Sequence, residues 1–195
     1  NAPAPINISA PQITPISCFG NTNGGISFNL SGGTGNLVSN WTPNIGTGTQ
    51  VQNLGPGTYI LSVVDDNGCT AADTVILIEP SALQHSMQHT QVLCYDSANG
   101  SASVTPQGGT APYQFACSNV QSIDSISGLD TGFYAVVITD ANGCTDTGSV
   151  AITQPPPLEI SLQILDSICQ GAPMGLTTQL VSSGAGGINY MWHDG

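Results

Sequence analysis

Apolar residues recur at every second position over short runs: Ile26-Ser27-Phe28-Asn29-Leu30, Ala102-Ser103-Val104, Tyr59-Ile60-Leu61-Ser62-Val63-Val64 and Tyr134-Ala135-Val136-Val137-Ile138. A period of two gives a strand one buried face and one solvated face. No stretch needs helical spacing. Asn67-Gly68 and Asn142-Gly143 are hairpin signals of type I′, whose two central residues both take positive φ, and each leads into a closing strand, 74–78 and 149–152. Several short strands at even spacing, with turn residues between them, predict a two-sheet sandwich of immunoglobulin-like type.

The pattern repeats. Asp65-Asp66-Asn67-Gly68-Cys69-Thr70 is answered 75 residues later by Asp140-Ala141-Asn142-Gly143-Cys144-Thr145. Cys18, Cys94 and Cys169 are separated by 76 and 75 residues, and each ends an extended apolar segment. Gly55-Pro56-Gly57-Thr58-Tyr59 matches Asp130-Thr131-Gly132-Phe133-Tyr134, Gly32-Gly33-Thr34 matches Gly108-Gly109-Thr110, and Glu79-Pro80 matches Gln154-Pro155. Such a fixed period marks a tandem array. The expected units are 6–79, 81–154 and the N-terminal half of a third, 157–195. Pro155-Pro156-Pro157 is a stiff joint, so consecutive units are expected to form a semi-rigid rod.

The six cysteines fit this register. Cys18 with Cys69 and Cys94 with Cys144 enclose loops of nearly equal length, so pairing within units is the simplest expectation. Closing a loop of about 50 residues contributes about 4 kcal/mol in the chain-entropy model. Cys169 would pair beyond Gly195. Cys117 stands 23 residues after Cys94, the offset of Trp41 from Cys18 and of Trp192 from Cys169. It occupies a core tryptophan position and reads as a small buried hydrophobe, the alternative being a disulfide to Cys169 or to a neighbouring chain. Structural disulfides point to an oxidising, extracellular compartment.

Composition narrows the partners. The chain of 195 residues has no Lys or Arg, 12 acidic residues and a formal net charge of -12. It cannot neutralise phosphates, which excludes nucleic acid, and no run is long and apolar enough to cross a membrane as a helix. No isopeptide cross-link or Lys/Arg ion pair can form, so stability must come from burial and disulfides.

Ile16-Ser17-Cys18-Phe19-Gly20, the Gly-Gly-Thr segments with Ala111-Pro112-Tyr113, the Gly57-Thr58-Tyr59 turn, the Asp-Ala-Asn-Gly-Cys-Thr segment and Glu79-Pro80 together resemble the SprB-type repeat of Bacteroidetes cell-surface proteins, notably the gliding-motility adhesin. The resemblance covers nearly all of the first two units. It implies export by the type IX secretion system, display on the cell surface, and adhesion or gliding. The second unit departs from the pattern at Cys94-Tyr95-Asp96 and at Cys117.

Candidate chemistry is sparse. Asp65, Asp66 and Asp140 are candidates for calcium held with turn carbonyls, against the ordinary reading as side chains that cap their own turns; no other cofactor is expected. His85 and His89 lie four apart on one strand face and could hold a metal, against partly buried or edge histidines. No Gly-x-Ser-x-Gly, His-Glu-x-x-His or phosphate loop occurs, so no catalytic residue is assigned and no enzyme is expected. Thr74, Ser97, Ser125 and Ser167 each follow an aspartate and precede Val, Ala or Ile, and resemble Bacteroidetes O-glycosylation acceptors.

The expected function is a structural and adhesive repeat region of a large secreted surface protein, bound through many weak contacts to an extracellular surface or polysaccharide, or to neighbouring repeats. The alternatives are a passive spacer in a secreted enzyme and a subunit of a self-assembling filament.

Overall fold

The structure is a computed structural model. It describes residues 4–118, 124–164 and 178–183, with backbone alone for 160–164 and 178–183. The first repeat contains β1 (Asn7–Ile8), β2 (Gln12–Thr14), β3 (Gly24–Ser27), β4 (Leu30–Ser31), β5 (Val38–Thr42), β6 (Gln50–Leu54), β7 (Gly57–Val64) and β8 (Thr70–Leu77). The second contains β9 (Gln84–Thr90), β10 (Gly100–Gln107), β11 (Gln114–Cys117), β12 (Ser125–Leu129), β13 (Gly132–Thr139) and β14 (Thr145–Ile152). β15 (Glu159–Ile164) and β16 (Thr178–Ser183) form an antiparallel pair that opens the third.

The first repeat has two three-stranded sheets, ordered β2-β3-β6 and β5-β7-β8, and β1 pairs with β4 at the margin. The second repeat has β9-β10-β12 and β11-β13-β14, the same order strand for strand. This is the immunoglobulin arrangement of A-B-E facing C-F-G, with no D strand among the described residues. Two local features agree. Trp41 on the C-type strand β5 is buried and its indole N–H donates to the Gly48 carbonyl at 2.9 Å, while Phe28 packs on its ring with centroids 5.9 Å apart. At the start of the F-type strands, the Tyr59 hydroxyl donates to the Gly55 carbonyl and the Tyr134 hydroxyl to the Asp130 carbonyl, at 2.9 and 3.0 Å. These are tyrosine corners, which fix the turn into strand F.

The alternating positions seen in the sequence are the ones that face inward. Tyr59, Leu61 and Val63 of β7 are buried, with Val75 and Leu77 of β8 beside them, against Ile26, Val51 and Leu54 from the other sheet. Gly24 sits where a Cβ would lie 2.9 Å from the Leu54 carbonyl oxygen, and Gly100 repeats this with a Cβ 3.0 Å from the Leu129 oxygen. Only glycine allows the two backbones to approach this closely.

The core of the second repeat is thinner. Ile26, Phe28 and Trp41 are answered by Ala102, Val104 and Cys117, each smaller. An apolar hollow lined by Met87, Ala102, Val104, Cys117, Tyr134 and Val136 occupies the place of the missing volume.

One expectation is corrected. The hairpins at Asn67-Gly68 and Asn142-Gly143 are not of type I′: only the glycine of each has positive φ, 81° in both. The Gly68 N–H donates to the Asp65 carbonyl and the Asp65 N–H to the Cys69 carbonyl, which makes a type I turn closed by a glycine bulge. The reason is the aspartate at the head of the turn, described below. By packing, the described residues fall into two compact units, one of 4–86 with 106–115 and 137–146, the other of 87–105 with 116–118, 124–136, 147–164 and 178–183.

Ala102→Ile restores the first repeat's residue at the hollow. It is expected to raise the stability of the second repeat by about 1–2 kcal/mol, the transfer energy of two or three methylene-sized groups less repacking. Urea unfolding of the variant beside the parent chain measures it, and a lower midpoint would mean that the hollow has no room for the added carbons.

Candidate functional site: the two ends of the sandwich

One end of each sandwich is built on an aspartate. Asp65 is buried, and its carboxylate accepts three backbone N–H bonds: from Asn67 at 3.0 Å and Cys69 at 2.8 Å on one oxygen, and from Thr34 at 2.9 Å on the other. Asp140 does the same with Asn142 and Cys144 at 2.9 Å and Thr110 at 2.9 Å. The first oxygen shapes the turn and the second fastens the Gly-Gly-Thr loop to it. That is why Asp-x-Asn-Gly-Cys and Gly-Gly-Thr recur together. The Gly-Gly-Thr glycines have positive φ and press against the preceding chain, where a Cβ at Gly32 would overlap the Pro5 carbonyl and one at Gly108 the Ala82 carbonyl. Burial alone would raise the pKa of Asp65 and Asp140, but the converging backbone N–H groups outweigh it and hold both below the ordinary carboxylate value.

The opposite end is built around the first cysteine of each repeat. The Ser17 N–H donates to the Asn23 side-chain oxygen and the Asn21 N–H to the Cys18 carbonyl, both at 3.1 Å, while Glu79 caps the Gly20 N–H. In the second repeat the Leu93 N–H donates to Asn99, the Ser97 N–H to the Cys94 carbonyl, and the Asp96 N–H to Gln154. The matched Glu79-Pro80 and Gln154-Pro155 thus have a purpose: each supplies the side chain that closes this loop.

Cysteine pairing differs from the expectation. The structure bonds Cys18 to Cys144, with Cα atoms 5.8 Å apart, and leaves Cys69 and Cys94 exposed as free thiols. Pairing Cys18 with Cys69 is excluded by geometry. β7 leaves the Cys18 end and runs eight residues, Gly57–Val64, to the turn that carries Cys69. The two cysteines therefore stand about 25 Å apart at the rise of an extended strand, far beyond the reach of a disulfide. The same strand lengths separate Cys94 from Cys144.

Polar contacts accompany the bond. The Asn142 side-chain amide donates to the Ser17 carbonyl at 3.0 Å and also to the Thr110 hydroxyl, and the Cys144 sulfur lies 3.4 Å from the same Ser17 oxygen. Phe19, Ala82, Leu83 and Gly143 line a shallow groove around the two cysteines. The sequence analysis places Ser17, Asn142 and Glu79 in turn and repeat motifs but gives none of them a role at this joint. The signal was present in the length of β7, which puts the two cysteine positions of one repeat at opposite ends.

Other candidates are placed as follows. The oxygens of Asp65 and Asp140 point at backbone N–H groups, and Asp66 accepts from the Asn36 N–H at 2.9 Å. Among the described residues no three His, Cys, Asp or Glu converge on one point. His85 pairs through Nδ1 with Asp146 at 2.7 Å, whereas His89 is exposed. Thr74 and Ser125 are exposed on strands and Ser97 is half-buried. Cys169, Ser167 and Trp192 lie outside the described residues.

The SprB repeat family model matches residues 10–42 and 88–122. Both segments are similar to the SprB repeat. Each match runs from the first sheet's leading strand through the C-type strand of its sandwich, so it contains the first cysteine and the Trp41 or Cys117 position. Among solved structures, the chain is similar to the N-terminal eight Ig domains of Down Syndrome Cell Adhesion Molecule isoform 1.30.30, at 9% identity and a TM-score of 0.45. That match covers 79% of this chain and 25% of the other. It is also similar to the amphioxus IgVJ-C2 molecule, at 14% identity and a TM-score of 0.32, over 79% of this chain and 99% of that one. No curated protein matches the chain.

Two outcomes test this geometry. Because the folded pKa of Asp65 and Asp140 lies below the unfolded value of 3.8, their stabilisation is complete above that value and is lost as pH falls through the folded pKa. Melting temperature should therefore fall steeply on the acid side, and Asp65→Asn, which sets an amide against N–H donors, should lower it at neutral pH and flatten the acid limb. Thermal melts across that range decide it, and an unchanged acid limb in the double variant Asp65→Asn/Asp140→Asn would remove the aspartates from this role. Secondly, Asp-N digestion under non-reducing conditions, chosen because trypsin has no site here, should yield a peptide joining Cys18 to Cys144. A Cys18–Cys69 peptide would refute the pairing.

Proposed function

We propose that these residues are part of the repeat region of a large secreted, adhesin-type surface protein, in which sandwiches are coupled in series to form a semi-rigid stalk for surface adhesion or gliding. The observation that carries this reading is the Cys18–Cys144 bond. It fastens the loop end of one SprB-type repeat to the turn end of the next, which is what a chain under pull or shear requires and what an isolated domain does not. A disulfide of this kind also suits an oxidising compartment outside the cytoplasm. The absence of any Lys or Arg gives the stalk an unbroken negative charge that keeps parallel stalks apart. Binding to a surface or polysaccharide then works by avidity across many copies.

Antibody to residues 6–154, applied to cells of the source organism under electron microscopy, is expected to decorate projections at the cell surface. Label confined to compact soluble particles would instead make the repeats a spacer in a secreted protein whose activity resides elsewhere.

A further inference from the structure

The bonded pair Cys18 and Cys144 has unbonded counterparts at matching positions: Cys94 corresponds to Cys18, and Cys69 to Cys144. Their surroundings are built to the same plan. Around Cys69 and Cys144 the aspartate accepts the cysteine's own N–H at 2.8 and 2.9 Å, the glycine before the cysteine has φ 81° in both, and the Thr34 and Thr110 N–H groups close the site at 2.9 Å. Around Cys18 and Cys94 the loop is held by Asn23 and Asn99, and by Glu79 and Gln154. Asp96 takes the positive φ of Gly20, 56° against 76°, so the loop keeps its shape even where the glycine is lost. Aspartate is one of the few side chains that take this conformation readily.

The apolar groups repeat as well. Phe19 lines the groove at the bonded joint, and Tyr95 stands in its place beside Cys94, 53% exposed, with Leu93 at 76% in the place of Ser17. The free end of the second repeat thus presents a thiol, an aromatic ring and an apolar side chain to solvent. The turn end of the first presents a thiol and the Asn67 amide, the counterpart of the amide that donates to Ser17.

We propose that Cys69 and Cys94 are half-bridges for further SprB-type repeat ends: Cys94 bonds the turn-end cysteine of another repeat and Cys69 bonds a loop-end cysteine, so that the Cys18–Cys144 link recurs along a covalently locked array. This rests on the reading of the repeats as units in series. The partner end comes from an adjoining repeat of the same chain or from a second copy; the chemistry is the same. A small-molecule disulfide serves as oxidant. One protein thiolate attacks it, forming a mixed disulfide and releasing one small thiol. The partner thiolate then attacks the mixed disulfide, forming the protein bridge and releasing the second. Two protein thiols lose two protons and two electrons, and one oxidant disulfide becomes two thiols.

The 195-residue chain tests this directly. Cys69→Ser and Cys94→Ser variants are incubated separately and mixed, with reduced and oxidised glutathione, at about 1 mM protein to match the effective concentration of tethered neighbours. Linked peptides are then identified after Asp-N digestion. Mixing should give Cys94–Cys69 links in about tenfold or greater excess over Cys69–Cys69 or Cys94–Cys94 links, because only the unlike ends are complementary. Like-with-like links in comparable yield, or thiols that stay reduced at a poise where Cys18–Cys144 is fully formed, would overturn the proposal. Asp-N mapping of the native surface material tells the two sources apart, since a Cys94 peptide joined to Cys69 comes from a second copy and one joined to another Asn-Gly-Cys sequence from an adjoining repeat. The readout is independent of location: selective linking survives if the surface labelling fails, and the labelling survives if linking proves unselective.

Discussion

A carboxylate that accepts three backbone N–H bonds organises everything at the turn end of each sandwich. Three N–H groups converging on one buried site would be costly to leave unpaired, and a neutral acceptor could not satisfy all three as well. Asp65 and Asp140 solve this in the same way, converting a six-residue hairpin segment and a distant glycine-rich loop into one rigid surface. Because the cysteine that follows the Asn-Gly is itself one of the donors, its position is set by that carboxylate to within a hydrogen bond. A thiol that must meet a partner on another repeat needs such placement, since a disulfide tolerates only a narrow range of separations.

The loop end is organised with different means for the same purpose. Asparagine side chains fold the segment back on itself, and a Glu or Gln from the end of the last strand closes it. The hydrogen bonds of both ends are made within the end segments themselves, so they are the same in two repeats whose cores differ. Trp41 and Phe28 fill the first repeat, whereas Cys117 and Val104 leave a hollow in the second, yet the two cysteine-bearing ends keep the same hydrogen bonds.

Much of this protein was determined by its sequence. The period of two in the strands, the positions of the turns, the repeat of about 75 residues and the immunoglobulin-like class all follow from local rules, because side-chain alternation and glycine turns act over a few residues. The aspartates before Asn-Gly were legible as turn caps for the same reason. Tertiary structure alone decided the turn type, the second fastening of each aspartate to its Gly-Gly-Thr loop, and above all the disulfide. Spacing along the chain ranks Cys18 with Cys69 as natural partners, but an eight-residue strand puts them at opposite ends, and the partner that comes within 5.8 Å is 126 residues away in the neighbouring repeat. Loop length in sequence carries no information about which end of a sandwich a residue occupies; only the path of the strands supplies it.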